Sequence, residues 1–307
     1  MERAEAPQLP RRSLDAERRR CNASAMTAAT SSFGQHLREW RQRRRMSQLD
    51  LALVADVSAR HLSFIETGRA RPSREMVLHL CERLSVPLRE RNAILLSAGY
   101  APVFPRRSLD DPALTQARKA VELVLKGHEP FPALAVDRHW NLVSANHAVS
   151  HMMTGAADEL LAPPVNVLRL SLHPRGLAPR IENYAEWRHH ILARLRQQIE
   201  ASADPQLMDL LRELSSYPVA STHRSTTADL PQDGVVTPLR FRSDAGVLSL
   251  ISTTTVFGTP IDITLEELAI EAFFPADDDT AEKLRALAHL SGKRPVDRLS
   301  DRKQQSA

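Results

Sequence analysis

The 307-residue chain has only two cysteines, Cys21 and Cys81. They are too few and too far apart for a disulfide framework or a zinc site, which fits a reducing cytoplasm. No apolar run approaches the ~20 residues that a membrane span needs, so the membrane is not an expected partner. Residues 1–32 are polar and arginine-rich and lack the apolar core of a signal peptide; a disordered extension is expected there, with Met26 as an alternative start. Glycine is sparse at 10 residues, with neither a glycine-rich phosphate loop nor a G-x-S-x-G elbow. Three Trp and eight Phe fit a core better than a stacking platform. His147 and His151 stand at i, i+4 and His189–His190 are adjacent, but no Cys or carboxylate follows at a third-ligand spacing. No metal, no cofactor and no catalytic residue is therefore expected, and an enzyme is the remotest reading.

Charge of one sign is concentrated instead. Residues 33–100 hold twelve Arg against seven acids, whereas residues 101–307 carry 23 Lys/Arg against 26 acids. A positive excess confined to one segment points that segment at a polyanion, unless it is simply a solvated basic face.

The pattern within the basic segment decides between them. In "FGQHLREWRQRRR", Phe33, Leu37 and Trp40 form one helical stripe. Ser47 is placed to cap a second helix with Leu49, Leu51, Ala52 and Val54 as its apolar contacts. Asp56 follows in a turn that calls for left-handed backbone, which Asp tolerates. Ser58 caps a third helix, with Leu62 and Ile65 inward and Ala59, Arg60, His61, Ser63 and Phe64 facing outward at least in part; Gly68 closes it. Two short helices across a tight turn, the second presenting its N-terminal side chains, make a helix-turn-helix that enters a major groove. Gln48 at a helix start can hold a phosphate, Arg60 can read a guanine edge, and Arg69 and Arg71 can fix the register on the backbone. The expected partner is double-stranded operator DNA, and half-site reading calls for a homodimer.

The run "SQLDLALVADVSARHLSFIETGRARPS" resembles the helix-turn-helix of the XRE (Cro/repressor-type) regulators, with Asp56 where that family usually has Gly. The resemblance implies a five-helix domain over residues 33–100, completed by "SREMVLHLCERLSV" and "PLRERNAILLSAG", and a structural pair between Arg41 and Glu66. Cys81 then reads as a buried small hydrophobe.

"YAPVFPRRS" reads as a linker, taken as residues 101–112. Beyond it, Leu114, Ala117, Val121, Val124 and Leu125 stripe a helix. "ALAV" and "NLVS" are short strands about a "DRHW" turn, and "ANHAVSHMM" continues as a helix. "VVTPLRFRS" and "VLSLISTTTVFGTPIDITL" read as two strands joined by "DAG", a hairpin signal. Tyr184, Trp187, Ile191, Leu195 and Ile199 stripe one helix, and Leu207, Leu210, Leu211 and Leu214 another; such stripes line a pocket or plain core. The strand-turn-strand-helix opening resembles a PAS-type domain. The segments "PFPALAVDRHWNLVSANHA", "NVLRLSLHPRGLAPRIENYAEW" and "FGTPIDITLEELAIEAFFPADDDTAEKL" together resemble the MmyB-like ligand-binding domain.

The expected fold is thus α+β: an all-α helix-turn-helix domain, then a PAS-like domain over residues 113–288, then a disordered tail over 289–307. The resemblance implies a pocket for an acyl chain, with a fatty acid as possible effector. Its expected walls are Leu134, Val136, Leu142, Trp187, Ile191, Leu250 and Ile251, with Asn146, Arg180 or Arg188 for a head group. Two functions fit: a regulator that senses a small apolar ligand, or a ligand-independent regulator whose C-terminal domain only dimerises or recruits a partner.

Overall fold

The computed structural model describes residues 32–218 and 237–291. The expected disordered ends lie outside these, except that Ser32 caps the first helix and the last helix runs on to Ser291. The chain divides into two compact units, Met1–Val103 and Phe104–Ala307.

The first unit is helical among its described residues. Each of its first four helices starts on a serine whose hydroxyl accepts from a backbone N–H three residues on: Ser32 for α1 (Phe33–Arg43), Ser47 for α2 (Gln48–Val54), Ser58 for α3 (Ala59–Glu66) and Ser73 for α4 (Arg74–Arg83). α5 (Leu88–Ser97) starts after Pro87 instead. Ser47 and Asp50 complete a reciprocal capping box, 3.1 and 2.7 Å. The turn between α2 and α3 takes a left-handed residue at Asp56 (φ 51), and Gly68 (φ 73) ends α3. Leu37, Leu51, Leu62, Ile65, Leu80, Cys81 and Leu95 form the core. Leu49 and Val54, expected inward, are exposed at 59% and 50%. A seven-residue helix packed by one face hides only Leu51 and Ala52. Gly34 lets α1 close on the end of α3: a Cβ there would stand 2.4 Å from the Glu66 carbonyl oxygen.

The second unit holds residues 104–112, expected as linker. Arg107 pairs with the buried Asp262 at 3.0 Å, and Ile263 N–H donates to Pro105 O at 2.9 Å. A five-stranded antiparallel sheet forms, in the order β2-β1-β5-β4-β3. Its strands are β1 (Ala133–Val136), β2 (Leu142–Ala145), β3 (Leu239–Ser243), β4 (Gly246–Val256) and β5 (Ala269–Pro275). Sequence reading found the two hairpins, though it ran the last strand on to Leu265 where it ends at Val256, and it did not find β5, the strand that joins them. Alternation assigns the two faces. Ala133, Ala135, Ile270 and Ala272 pack on Val121 and Leu125 of α6 (Thr115–Gly127), while Val124 is exposed on the far side of that helix.

The opposite face carries Leu134, Val136, Leu239, Phe241, Leu250 and Phe273. It is covered by α7 (His147–Met153), α9 (Val167–Leu172), the 19-residue α10 (Tyr184–Ser202) and α11 (Pro205–Ser216), with the one-turn α8 (Asp158–Leu161) between the first two. The one-turn α12 (Ile263–Glu266) precedes β5, and α13 (Asp278–Ser291) packs on β4 and β5. Helices over one face of a curled antiparallel sheet leave a space between the layers, and the overall class is α+β.

Candidate functional site

In the first unit, the outward face of α3 is the candidate reading surface. Arg60 and His61 are exposed, and Ala59, Ser63 and Phe64 are half-buried. The Arg60 guanidinium lies 5.3 Å over the Phe64 ring, the two side chains one helical turn apart. Ser58 is exposed and its Oγ accepts from His61 N at 3.1 Å, so its hydroxyl proton is what it can offer a phosphate. Arg69 is exposed in the loop after α3, and among the described residues no carboxylate pairs with it or with Arg60. Arg71 is also exposed, with its Nη2 against Gly99, where a Cβ would come within 2.8 Å.

Behind this face lies a polar clamp. Glu66 at the end of α3 is buried and accepts from Arg41 Nε at 2.6 Å and Nη2 at 2.9 Å, while Arg41 Nη1 donates to Met46 O at 2.8 Å. Gln48 Nε2 donates to the same carboxylate at 2.7 Å, which leaves its second amide N–H for a phosphate. Burial alone would push the Glu66 carboxyl up, but the hydrogen bonds from Arg41 and Gln48 outweigh it and hold the group below the usual carboxylate range. The clamp joins α1, α2 and α3, so the reading face is held by charge as well as by packing.

The second unit contains a cavity between sheet and helices. Its wall is mostly apolar, with Leu134, Met152, Leu168, Trp187, Ile191 and Phe273 among the lining residues. Such a lining with a few polar groups is the usual make-up of a small-molecule site. Of the expected wall residues, Leu134, Trp187 and Ile191 line this cavity.

The other expected wall residues do not line it. Val136 and Leu250 are buried in the adjoining core, and Leu142 packs against that core half-buried. Ile251 follows Leu250 on β4, so alternation turns it to the other side of the sheet. The expected head-group donors are engaged elsewhere, apart from the Nε–H of Arg188. Asn146 accepts from Ala133 N at 3.1 Å and donates to Leu125 O and Phe131 O at 3.2 and 2.7 Å. Arg180 donates to the carbonyls of Met152, Thr154 and Arg242 and lies 4.4 Å over the Phe241 ring. Arg188 Nη2 donates to Ser215 O at 2.7 Å and its buried Nε–H has no partner among the described residues, but Arg188 is not in the cavity wall.

The charged groups in the wall are ones that sequence reading missed, Arg194 and Glu271. Arg194 Nη1 and Nη2 donate to Glu271 Oε2 and Oε1 at 2.9 and 2.5 Å, and the guanidinium lies 4.6 Å over the Trp140 ring. Thr254, directly across from Glu271 on β4, donates its hydroxyl to Oε1 at 2.9 Å. A signal for Arg194 was present: it lies three residues after Ile191 and seven after Trp187, on the same helical stripe.

Residues 32–94 match a helix-turn-helix domain model, and residues 117–287 match the model described as the MmyB-like transcription regulator ligand binding domain. The chain belongs to the MmyB-like transcription regulators. An MmyB-like regulator with both parts is a DNA-binding transcription regulator with a ligand-binding domain, and both matched domains are regulatory rather than enzymatic. No curated protein matches the chain significantly. A solved structure titled "Structure of an RNA-binding Light-Oxygen-Voltage Receptor" is similar at 17% identity over 92% of this chain and 71% of that chain, with a TM-score of 0.22, a likeness too slight to carry over any property. Among the described residues no helix is long and apolar enough to cross a membrane, and no group of three or more His, Cys, Asp or Glu is arranged to hold a metal ion.

Proposed function

We propose that this MmyB-like regulator is an XRE-type, homodimeric, cytoplasmic protein whose C-terminal cavity binds a small apolar effector carrying an acyl chain, such as a fatty acid or one of its derivatives, and thereby changes affinity for an operator. The apolar cavity lined by Leu134, Trp187, Ile191 and Phe273 carries this reading. Burying methylenes contributes about 0.8 kcal/mol each, so a medium-length chain reaches micromolar affinity with few polar contacts. On the DNA side the exposed Arg60 faces the groove while Gln48, Ser58, Arg69 and Arg71 hold phosphates. One recognition helix reads only a few base pairs, which is why two half-sites and a dimer are expected.

Coupling requires that the effector favour one arrangement of the two DNA-binding heads, since equal affinity for both shifts nothing. The test is a titration of fatty acids and their methyl esters of graded chain length, with operator binding followed alongside heat of binding. A length-dependent change in operator affinity supports sensing. A flat response with no heat for any of them makes the C-terminal unit a dimerisation or recruitment module.

A further inference from the structure

We infer that the cavity selects uncharged, oxygen-bearing apolar effectors over fatty-acid anions and alkyl cations, because Glu271 neutralises Arg194 in its wall. The inference rests on the reading of the cavity as the effector site. Both members line the cavity, and both are shielded: the Glu271 side chain is 5% exposed and that of Arg194 26%. Glu271 sits on β5 opposite Leu134 on one side and Thr254 on the other, the acid in a row of sheet residues facing the helices. The other polar residues in the wall, Ser171 and Ser252, are neutral. The net charge that an incoming head group meets is therefore zero.

The arrangement still offers hydrogen bonds. A guanidinium has five N–H donors. Two of those on Arg194 go to Glu271 and one to Thr254 Oγ1 at 2.5 Å, while among the described residues no acceptor takes the Nε–H or the second Nη1–H. An alcohol, ester or ketone oxygen can accept from these without disturbing the pair. A carboxylate that did so would stand within a few ångströms of the Glu271 carboxylate in a poorly screened space. If it displaced Glu271, it would leave a buried anion with only the Thr254 hydroxyl. An ammonium meets the same difficulty at Arg194.

The full-length protein is titrated at neutral pH with octanoate, octylamine, 1-octanol and methyl octanoate, following quenching of Trp140 and Trp187, which both line the cavity. The alcohol and ester are expected to bind at least about tenfold more tightly than either ion. In Glu271→Gln, whose Arg194 charge is no longer balanced, octanoate is expected to gain at least about tenfold relative to 1-octanol, and octylamine to gain nothing. Octanoate that binds wild type as well as 1-octanol does overturns the inference while leaving the effector site standing. If Glu271→Gln does not fold, as judged by circular dichroism, the wild-type ranking alone decides. Binding of none of the four overturns the effector reading itself, and the inference with it.

Discussion

Arg41 and Glu66, on the first and third helices, meet through two parallel hydrogen bonds of 2.6 and 2.9 Å, and Gln48 on the second closes the same carboxylate at 2.7 Å. Removing Arg41 leaves the buried Glu66 carboxylate with only the half-exposed Arg38 at 3.5 Å and the Gln48 amide, so Arg41→Met is expected to cost about 3 kcal/mol. Hydrogen exchange on the full chain should show the loss at α1 and α3. Acid acts in the same direction. Because the folded Glu66 carboxyl is held below its ordinary value of 4.5, the folded unit binds fewer protons there than the unfolded chain. The stabilisation is fully present above that value and is lost as pH falls through the folded one. A Glu66→Gln variant with an undiminished acid slope would refute this.

Gly34→Ala brings a Cβ to 2.4 Å from the Glu66 carbonyl oxygen and 2.8 Å from that of Ile65. Alanine gains about 1 kcal/mol in helix propensity, but forcing two backbones apart costs about 1–3 kcal/mol or more. Net destabilisation is expected, with operator affinity falling as α3 is displaced. A thermal midpoint unchanged or raised would show that the helices separate freely.

Arg60→Ala is expected to cost about 1–3 kcal/mol on the operator and to relax preference at one base pair, whereas Arg69→Ala should weaken specific and random DNA alike and reduce the salt slope by about one. Binding isotherms at several salt concentrations separate the two. Equal losses on operator and random duplex from Arg60→Ala would remove its base-reading role.

Cys81 is fully buried, and burial pushes its thiol up to about 12. Only the thiolate reacts at an appreciable rate. In a Cys21→Ser background, Cys81 should resist iodoacetamide in the native state and become labelled only when the first unit unfolds. Rapid native labelling would contradict the packing of α4.

Asn146 ties three backbone groups together, from β1 and from the ends of the segment before it. Asn146→Ala should therefore cost about 2–4 kcal/mol in stability through orphaned buried groups, with little effect on effector affinity in the protein that remains folded. A large loss of affinity at unchanged thermal stability would return Asn146 to the ligand site.

What the sequence determined by itself was local. Ser47 and Ser58 announce helix starts because their hydroxyls satisfy N–H groups only a few residues away. Asp56 and Gly68 mark left-handed backbone that few side chains tolerate, and Leu62 and Ile65 show by spacing alone which side of α3 is inward. Trp187 and Ile191 were legible as part of one stripe for the same reason. Tertiary structure decided the rest. Leu49 and Val54 are exposed because a neighbour packs on only one side of their short helix, and no pattern within seven residues states how wide that contact is. Asn146 and Arg180 were spent on carbonyls that come near only after folding. β5 escaped notice although it joins the two hairpins. Arg194 and Glu271 acquired their meaning from a contact between residues 77 positions apart. Periodicity tells which side of an element is buried; which polar groups meet there depends on how α10 is laid across the sheet, and that is settled by the packing of the whole unit.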